Sequence, residues 1–449
     1  MRFTDLGLHA DIVRGIKDLG YQRPTPIQES AMPAALEGKD LLACAATGSG
    51  KTAAFVVPIL ERLIAKPRAG TRALILTPTR ELAAQIAESI SELAVHTPLS
   101  GAAIYGGVSM GPQEHALRTG VDIIVATPGR LLDHLRFPYC NFERLEVLVL
   151  DEADRMLDMG FLPDIRRILK RLPTRRQTLF FSATMPPPIA ELSREMLHAP
   201  TMIDHARRAE PPALIDQRAF AVDGTRKSEL LYDLITKGEI KDAIVFTRTK
   251  ARTNRLAEFL EKRGVACGRL HGNRSQRQRE TALDQFKSGK TRILVATDIA
   301  ARGIDVQQLG HVVNFDVPHV PEDYIHRVGR TGRAGSAGEA ITFVSPEEEK
   351  DFRAIERAID RVVERIRHLD YTRPSADATK RPPARGPQQA PQRAPARGPQ
   401  SAAPRAPARK PAESPRPFFH KGVSERPTGR AVTRTHGRSG GGPRRRRSR

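Results

Sequence analysis

Short apolar runs rich in Val, Ile and Leu alternate with helical patterns along residues 1–370, and this alternation restricts the fold more than any other feature. Strands are predicted at 40–47 (DLLACAAT), 72–78 (RALILTP), 121–128 (VDIIVATP), 145–154 (LEVLVLDEAD) and 177–184 (QTLFFSAT). Between them lie stretches such as 80–94, with apolar residues three and four apart. Runs that are apolar on both faces and separated by helices belong to parallel sheets built from βαβ units. After a Pro/Arg/Ala-rich stretch near 205–216 the alternation restarts, with strands predicted at 243–249, 292–298, 311–317 and 339–345. A helix over 250–264 should stop at Gly264. Ser345, Pro346 and the acids Glu347, Glu348 and Glu349 read as an N-cap, a first-turn proline and charges suited to a helix dipole. The pattern predicts two α/β domains with parallel sheets.

Charge is unevenly distributed. The 449 residues carry a net +22, of which +17 falls in 371–449, so the body is nearly neutral. That segment also holds 14 of the 35 prolines, and its apolar residues are mostly Ala, too little to offset the entropy of ordering. It is predicted to be a disordered Arg/Pro/Gly-rich tail. RPPARGPQ (381–388), RAPARGPQ (393–400) and RAPARKPA (405–412) recur within it, and the chain finishes GGPRRRRSR. Spaced arginines with few acids fit a polyanion tether, and nucleic acid fits better than lipid because no amphipathic helix or acylation site accompanies them. A flexible chain of that length reaches about 50 Å, several Debye lengths of about 8 Å. It would therefore act by raising local nucleic-acid concentration rather than through its field.

Cys44, Cys140 and Cys267 lie too far apart for a CxxC zinc site and form no even-numbered disulfide framework, which suits a reducing compartment. Asp5, His9 and Asp11 sit where a signal peptide needs an apolar run, and no stretch approaches 18 uninterrupted apolar residues. The expectation is a cytoplasmic protein without membrane contact.

Ala45-Ala46-Thr47-Gly48-Ser49-Gly50-Lys51-Thr52 lies between a predicted strand and a helix, the context of a phosphate-binding loop. Glycines let backbone N–H groups approach phosphate oxygens, and the helix N-terminus adds a positive dipole end. Lys51 would reach the β/γ-phosphates and Thr52 would ligate Mg²⁺. In VLVLDEAD, four apolar residues deliver Asp151 and Glu152 to the strand end, where α/β folds bind ligands. Asp151 suits Mg²⁺ and Glu152 a general base for an attacking water. A nucleoside triphosphatase using Mg²⁺ follows.

TGSGKT, PTREL (78–82), TPGR (127–130), DEAD (151–154), SAT (182–184), ARGID (301–305) and HRVGRTGR (326–333) occur in this order. With them the chain resembles the DEAD-box ATP-dependent RNA helicases of superfamily 2. Ala45 in place of the first Gly of the general loop pattern is usual there. The basic tail is most similar to that of the bacterial RhlE-type subgroup. The resemblance implies tandem RecA-like domains, divided as a Q-motif region (1–30), a first domain (31–205), a linker (206–216), a second domain (217–370) and the tail (371–449).

It also implies roles. Phe3, Tyr21 and Gln28 would form the adenine-recognising Q motif, Gln28 hydrogen-bonding the base and Tyr21 packing on it. Asp305 would lie near the ribose. Arg330 and Arg333 match arginine fingers, and His326 a residue linking them to the DEAD acids. Ser182, Ala183 and Thr184 would couple hydrolysis to strand separation. RNA would meet Pro78, Thr79, Arg80, Glu81, Gly106, Gly107, Thr127, Pro128, Gly129 and Arg130 in the first domain. In the second it would meet Thr247, Arg248, Gln276, Arg279, Thr297 and Asp298. Most of these follow strand ends or open helices, where backbone N–H and hydroxyl groups hold phosphates, so binding without sequence preference is expected.

The function expected is ATP-driven closure of two domains on RNA with local, non-processive separation of short duplexes. Ribosomal and RNA-decay assemblies are candidate partners. Two rival functions remain: an ATP-gated RNA clamp or chaperone with little unwinding, and a DNA-acting superfamily 2 helicase.

Overall fold

The computed structural model describes residues 1–45, 48–65, 70–205, 215–301, 309–332, 338–367 and 369–372. They form two lobes, each around a seven-stranded parallel sheet. Lobe 1 contains β1 (Leu41–Cys44), β2 (Ala73–Leu76), β3 (Gly101–Ile104), β4 (Ile123–Ala126), β5 (Val147–Leu150), β6 (Gln177–Ser182) and β7 (Thr201–Asp204). Lobe 2 contains β8 (Ile215–Ala221), β9 (Ala243–Phe246), β10 (Cys267–Leu270), β11 (Ile293–Ala296), β12 (His311–Asn314), β13 (Gly338–Val344) and β14 (Glu364–Arg367). The sheet orders are β3-β4-β2-β5-β6-β1-β7 and β10-β11-β9-β12-β13-β8-β14. Counted from the start of its own lobe, each strand occupies the same place in both, so the lobes repeat one topology. Parallel order puts all seven C-terminal strand ends of a sheet on one rim, where α/β folds bind ligands.

Central strands are buried on both faces, as their apolar runs require. In lobe 1, Ile75, Val149 and Phe181 face one helical layer, where Phe181 meets Phe55 with ring centroids 5.4 Å apart. Leu74, Leu148 and Phe180 face the other. Arg72 and Asp122 precede β2 and β4 and pair at 2.9 Å, almost fully buried, at the foot of the sheet. Arg72 also donates to the Leu63 carbonyl, closing the helix Lys51–Ile64 onto the strands.

Most predicted strands end earlier than expected, because Pro78, Thr127 and Asp151 already belong to rim loops. The sequence reading missed β3, β7, β8, β10 and β14. Four of these are the sheet edges, where half-exposed strands such as TMID and ERIR lack an apolar run. The fifth, β8, carries Asp216, Gln217 and Arg218 within it. It also begins at Ile215, inside the stretch read as linker, whose residues 206–214 lie outside the described residues. The helix over 250–264 ends at Glu261, and Gly264 follows with φ +83°, reversing the chain. Ser345 and Glu348 form a capping box over the 3₁₀ turn Pro346–Glu348, which leads into the helix Glu349–Ala358. Tyr371, read as the first tail residue, belongs to the body. It is buried, its hydroxyl donates to Asp233, and its carbonyl accepts from Asp223 N at 2.8 Å. The tail from 373 onward lies outside the described residues. Among the described residues, no helix is long and apolar enough to cross a membrane.

Candidate functional site

The phosphate loop leaves β1 at Ala45, whose N–H donates to Ser182 O at 3.0 Å, and re-enters helix at Lys51. Ala46 and Thr47 lie outside the described residues. Gly48 and Gly50 have φ of +84° and +96°, which other residues rarely adopt. A Cβ on Gly50 would also come within 2.6 Å of Gln28 Nε2. Gln28 is buried. Its Oε1 accepts from Thr25 N at 3.0 Å and its Nε2 donates to Gly50 O at 2.9 Å, joining the Q-motif helix to the loop. Tyr21 is 44 % exposed, whereas Phe3 packs into the core. Ser49 and Thr52 are half-buried. Lys51 is buried, and its ammonium donates back to Ala45 O at 3.0 Å.

β5 and β6 are neighbours, and their ends bring DEAD and SAT together. The Asp151 carboxylate accepts the Glu152 N–H at 3.0 Å, and burial raises its pKa to about 6. Lys51 pulls that pKa down, while Glu152 and Asp154 push it further up. Glu152 heads the helix Ala153–Asp158 with a left-handed backbone, φ +54°, and lies 3.5 Å from Arg155. Such a conformation costs a non-glycine residue on the order of 1–3 kcal/mol and clusters at functional sites. Asp154 ties the two strand ends together. Its Oδ2 accepts from Thr184 N at 2.9 Å and Thr184 Oγ1 at 3.0 Å, and its N–H donates to Ser182 Oγ at 3.2 Å. Ser182 Oγ in turn donates to Thr184 O at 2.7 Å. Ala183 lies between them, half-buried.

The segments expected to meet RNA converge from both lobes. Thr79 caps the helix Arg80–Leu93 through its hydroxyl, with Pro78 buried before it. Gly107 has φ +85°, a backbone conformation that favours glycine, and a Cβ there would displace the Arg80 guanidinium, whereas a Cβ on Gly106 would be in ordinary contact with it at 3.5 Å. Thr127 and Pro128 are buried where the helix Pro128–His134 begins, Gly129 is exposed, and Arg130 donates to Val108 O at 3.1 and 3.2 Å. Across the seam, Arg80 Nη1 donates to Gln276 Oε1 at 3.4 Å. Gln276 Nε2 donates to Glu81 Oε1 at 3.4 Å, and Arg279 pairs with the same oxygen at 2.9 Å. Glu81 and Gln276 are each 5 % exposed. Burial, with Glu280 and Glu81 nearby, raises the Tyr105 pKa at this seam.

In lobe 2, Thr247 is buried against Thr253, while Arg248 is exposed. Thr297 is buried at the end of β11. Asp298 accepts two bonds from Arg327, at 2.5 and 2.7 Å, and Arg327 also donates to Asn314 and to Asp316 O. Glu81 and Asp298, both expected to touch RNA, each pair with an arginine. Arg330 is buried and His326 half-buried. Asp305 and Arg333 lie outside the described residues. Sequence reasoning assigned no role to Asp154, although DEAD contains it, nor to Arg327, although HRVGRTGR does. It also passed over Lys227 and Asp316, which no motif marks, and read Glu348 only as a charge suited to a helix dipole.

Residues 25–192 match the DEAD/DEAH box helicase family and residues 226–335 the helicase conserved C-terminal domain. The chain is 42 % identical over 355 residues to the ATP-dependent RNA helicase CshA of Listeria monocytogenes, covering 79 % of this chain and 68 % of that one. It is 43 % identical to the RNA helicase CrhR of Synechocystis, covering 81 % and 73 %. Among solved structures, it is similar to S. cerevisiae Dbp5 bound to RNA and ADP BeF3. There the TM-score is 0.75 at 30 % identity, over 82 % of this chain and 96 % of that one.

Proposed function

The chain belongs to the DEAD-box ATP-dependent RNA helicases, and from that membership we propose how its own residues share the work. It is an RNA-dependent ATPase with two RecA-like lobes. ATP binds lobe 1 with its phosphates against the N–H groups of the 45–52 loop, and Lys51 exchanges the Ala45 carbonyl for a phosphate oxygen. Gln28 reads adenine through its amide while Tyr21 covers the ring. Phe3 supports that region from the core. The donor set fits a divalent cation: a buried carboxylate on Asp151 and a first-turn hydroxyl on Thr52 are hard oxygen ligands. Mg²⁺ held there would neutralise charge on the transferring phosphoryl group.

Glu152 accepts the proton of the attacking water. Arg330 and Arg333 stabilise the phosphoryl charge from lobe 2, so the reaction proceeds only with the lobes closed. His326 links them to the DEAD acids, and Asp305 holds the ribose. Asp154, through Ser182 and Thr184, registers any movement of Glu152 at the end of β6. RNA lies over Arg80, the Gly106–Gly107 turn, Thr127–Arg130 and the lobe 2 segments 247–248 and 297, held by its backbone. Closure bends one strand and opens a few base pairs, each step costing on the order of 1.4 kcal/mol. ATP and RNA each tighten binding of the other by linkage.

The observation that carries this reading is the seam. Arg80 and Glu81 of one lobe touch Gln276 and Arg279 of the other, so a strand bound there is felt by both lobes. The tail acts as an RNA tether, and its composition favours the RhlE-type subgroup. The protein works in the cytoplasm, with ribosomal or RNA-decay assemblies as its setting.

Steady-state ATP turnover by nuclease-treated protein, with single-stranded RNA or matched DNA, tests the substrate. RNA alone should stimulate. Equal stimulation by DNA would overturn the assignment. Release of a short duplex faster than its annealing separates a helicase from an RNA clamp.

A further inference from the structure

The rim of lobe 2 carries a charge cluster that ATP hydrolysis does not use. Lys227 opens the helix Lys227–Thr236 and is 1 % exposed. Its Nζ donates to Phe315 O at 2.8 Å, to Phe343 O at 2.9 Å and to Glu348 Oε2. A neutral amine has two N–H donors and three acceptors converge here, so the group is an ammonium. Burial lowers its pKa and Glu348 opposes the shift. Glu348 is itself buried, and the same Oε2 accepts from Ser345 N and Ser345 Oγ in the capping box.

Charges in this cluster balance in pairs, with one left over. Lys227 neutralises Glu348. Arg252 lies 3.1 Å from Asp316 Oδ1, with Lys227 4.0 Å from the same atom. Arg248 is the surplus cation. Its backbone N–H donates to Asp316 Oδ2 at 2.8 Å, and its Nη2 donates to Glu348 Oε1 and to Val317 O, both at 3.1 Å. The side chain is 37 % exposed, so one edge of the guanidinium is fastened to the rim while part of it faces solvent.

We propose that Lys227 is a positioning residue for RNA: by neutralising Glu348, it lets that carboxylate orient Arg248 without cancelling the arginine's charge toward a phosphate. The inference rests on the reading of Arg248 as an RNA contact. Remove the ammonium, and Glu348 faces Arg248 alone; the pair nets zero and the phosphate loses its counter-charge.

The test is binding of a fluorescent oligouridylate to the full chain with a non-hydrolysable ATP analogue, between about 50 and 200 mM salt. One single-strand phosphate contact contributes a slope of roughly 0.7, or about 2–3-fold across that range. Arg248→Ala and Lys227→Met should each flatten the salt dependence by that amount. Lys227→Met combined with Glu348→Gln should restore it, because Arg248 regains its net charge. Glu348→Gln alone, which keeps the buried ammonium and does not depend on the Lys227 variant folding, should be at least as steep as wild type. A purely structural role would weaken binding equally at all salts and would not be rescued by the second substitution. Loss in Arg248→Ala with no change in Lys227→Met would overturn the proposal, as would a flatter slope in Glu348→Gln. No change in Arg248→Ala would remove the RNA contact itself, and the proposal with it.

Discussion

Lobe 1 buries its arginine–aspartate pair, Arg72 and Asp122, at the foot of its sheet, where strands begin. Lobe 2 buries Lys227, Asp316 and Glu348 at the opposite end, where strands finish. The two sheets share one strand order, so topology did not force this difference. The use proposed for each rim accounts for it. Groups on the lobe 1 rim, such as Lys51 on Ala45 O and Gln28 on Gly50 O, make bonds to backbone carbonyls that can be exchanged for a nucleotide. The buried pair at this rim, Glu152 with Arg155 at 3.5 Å, lies within one turn of helix and does not involve Lys51. On the reading proposed above, this part of the lobe 2 rim keeps a cation facing a nucleic-acid backbone, and fixed charges serve that task.

If the lobe 1 rim is chemical and its foot structural, substitutions at the two ends should fail differently. Glu152→Gln should lower RNA-stimulated turnover by about 10²–10⁴-fold while RNA still binds with an ATP analogue. Retained turnover would remove Glu152 as base. Arg72→Met leaves the Asp122 carboxylate buried without its cation and should cost about 3–5 kcal/mol in urea unfolding. Turnover per folded molecule should be unchanged, and a selective loss of turnover would break the division between foot and rim.

Where the lobes meet, Glu81→Gln and Arg279→Ala should each reduce the coupling between RNA and ATP-analogue binding by about 5–10-fold. The double variant should be no worse than either single one, since both remove the same contact; additive losses would deny it. Truncation after Thr372, which spares the buried Tyr371, should weaken RNA binding and flatten its salt dependence with little change in maximal turnover. An unchanged salt slope would end the tether idea.

The smallest effect belongs to the foot of lobe 2. Hydrogen bonding to Asp242 raises the His311 pKa above its ordinary 6.5, with Glu339 adding to the shift. The protonated ring then contributes stability fully below pH 6.5 and loses it as pH rises through the raised value. Urea midpoints should fall with pH over that window in wild type, and the fall should shrink in His311→Gln. An identical fall in both would assign it elsewhere.

Legibility in the sequence followed burial. Strands such as ILVA and VLVL announce themselves because both faces are covered, while GAAI, TMID, CGRL and ERIR sit at edges and carry no comparable pattern. The same holds for the site. Gly48, Gly50 and Lys51 are readable because a phosphate loop needs those residues at fixed spacing in one strand–loop–helix unit, and Asp151 and Glu152 because two acids directly follow an apolar strand. Asp154 and Arg327 lay inside recognised motifs without a role, because their partners, Ser182 and Thr184 or Asp298 and Asp316, come from other strands.

The sequence by itself determined two parallel α/β lobes, a phosphate loop, an acidic strand end and a basic tail. Each of these is a local pattern of hydrophobicity, glycine or charge. Only the tertiary structure decided that Glu81 and Asp298 hold arginines, that Tyr371 closes the body, and that Lys227 stands behind Arg248. These are pairings between segments tens to hundreds of residues apart. Such a partner is set by which strand ends share a rim, and no spacing along the chain encodes that.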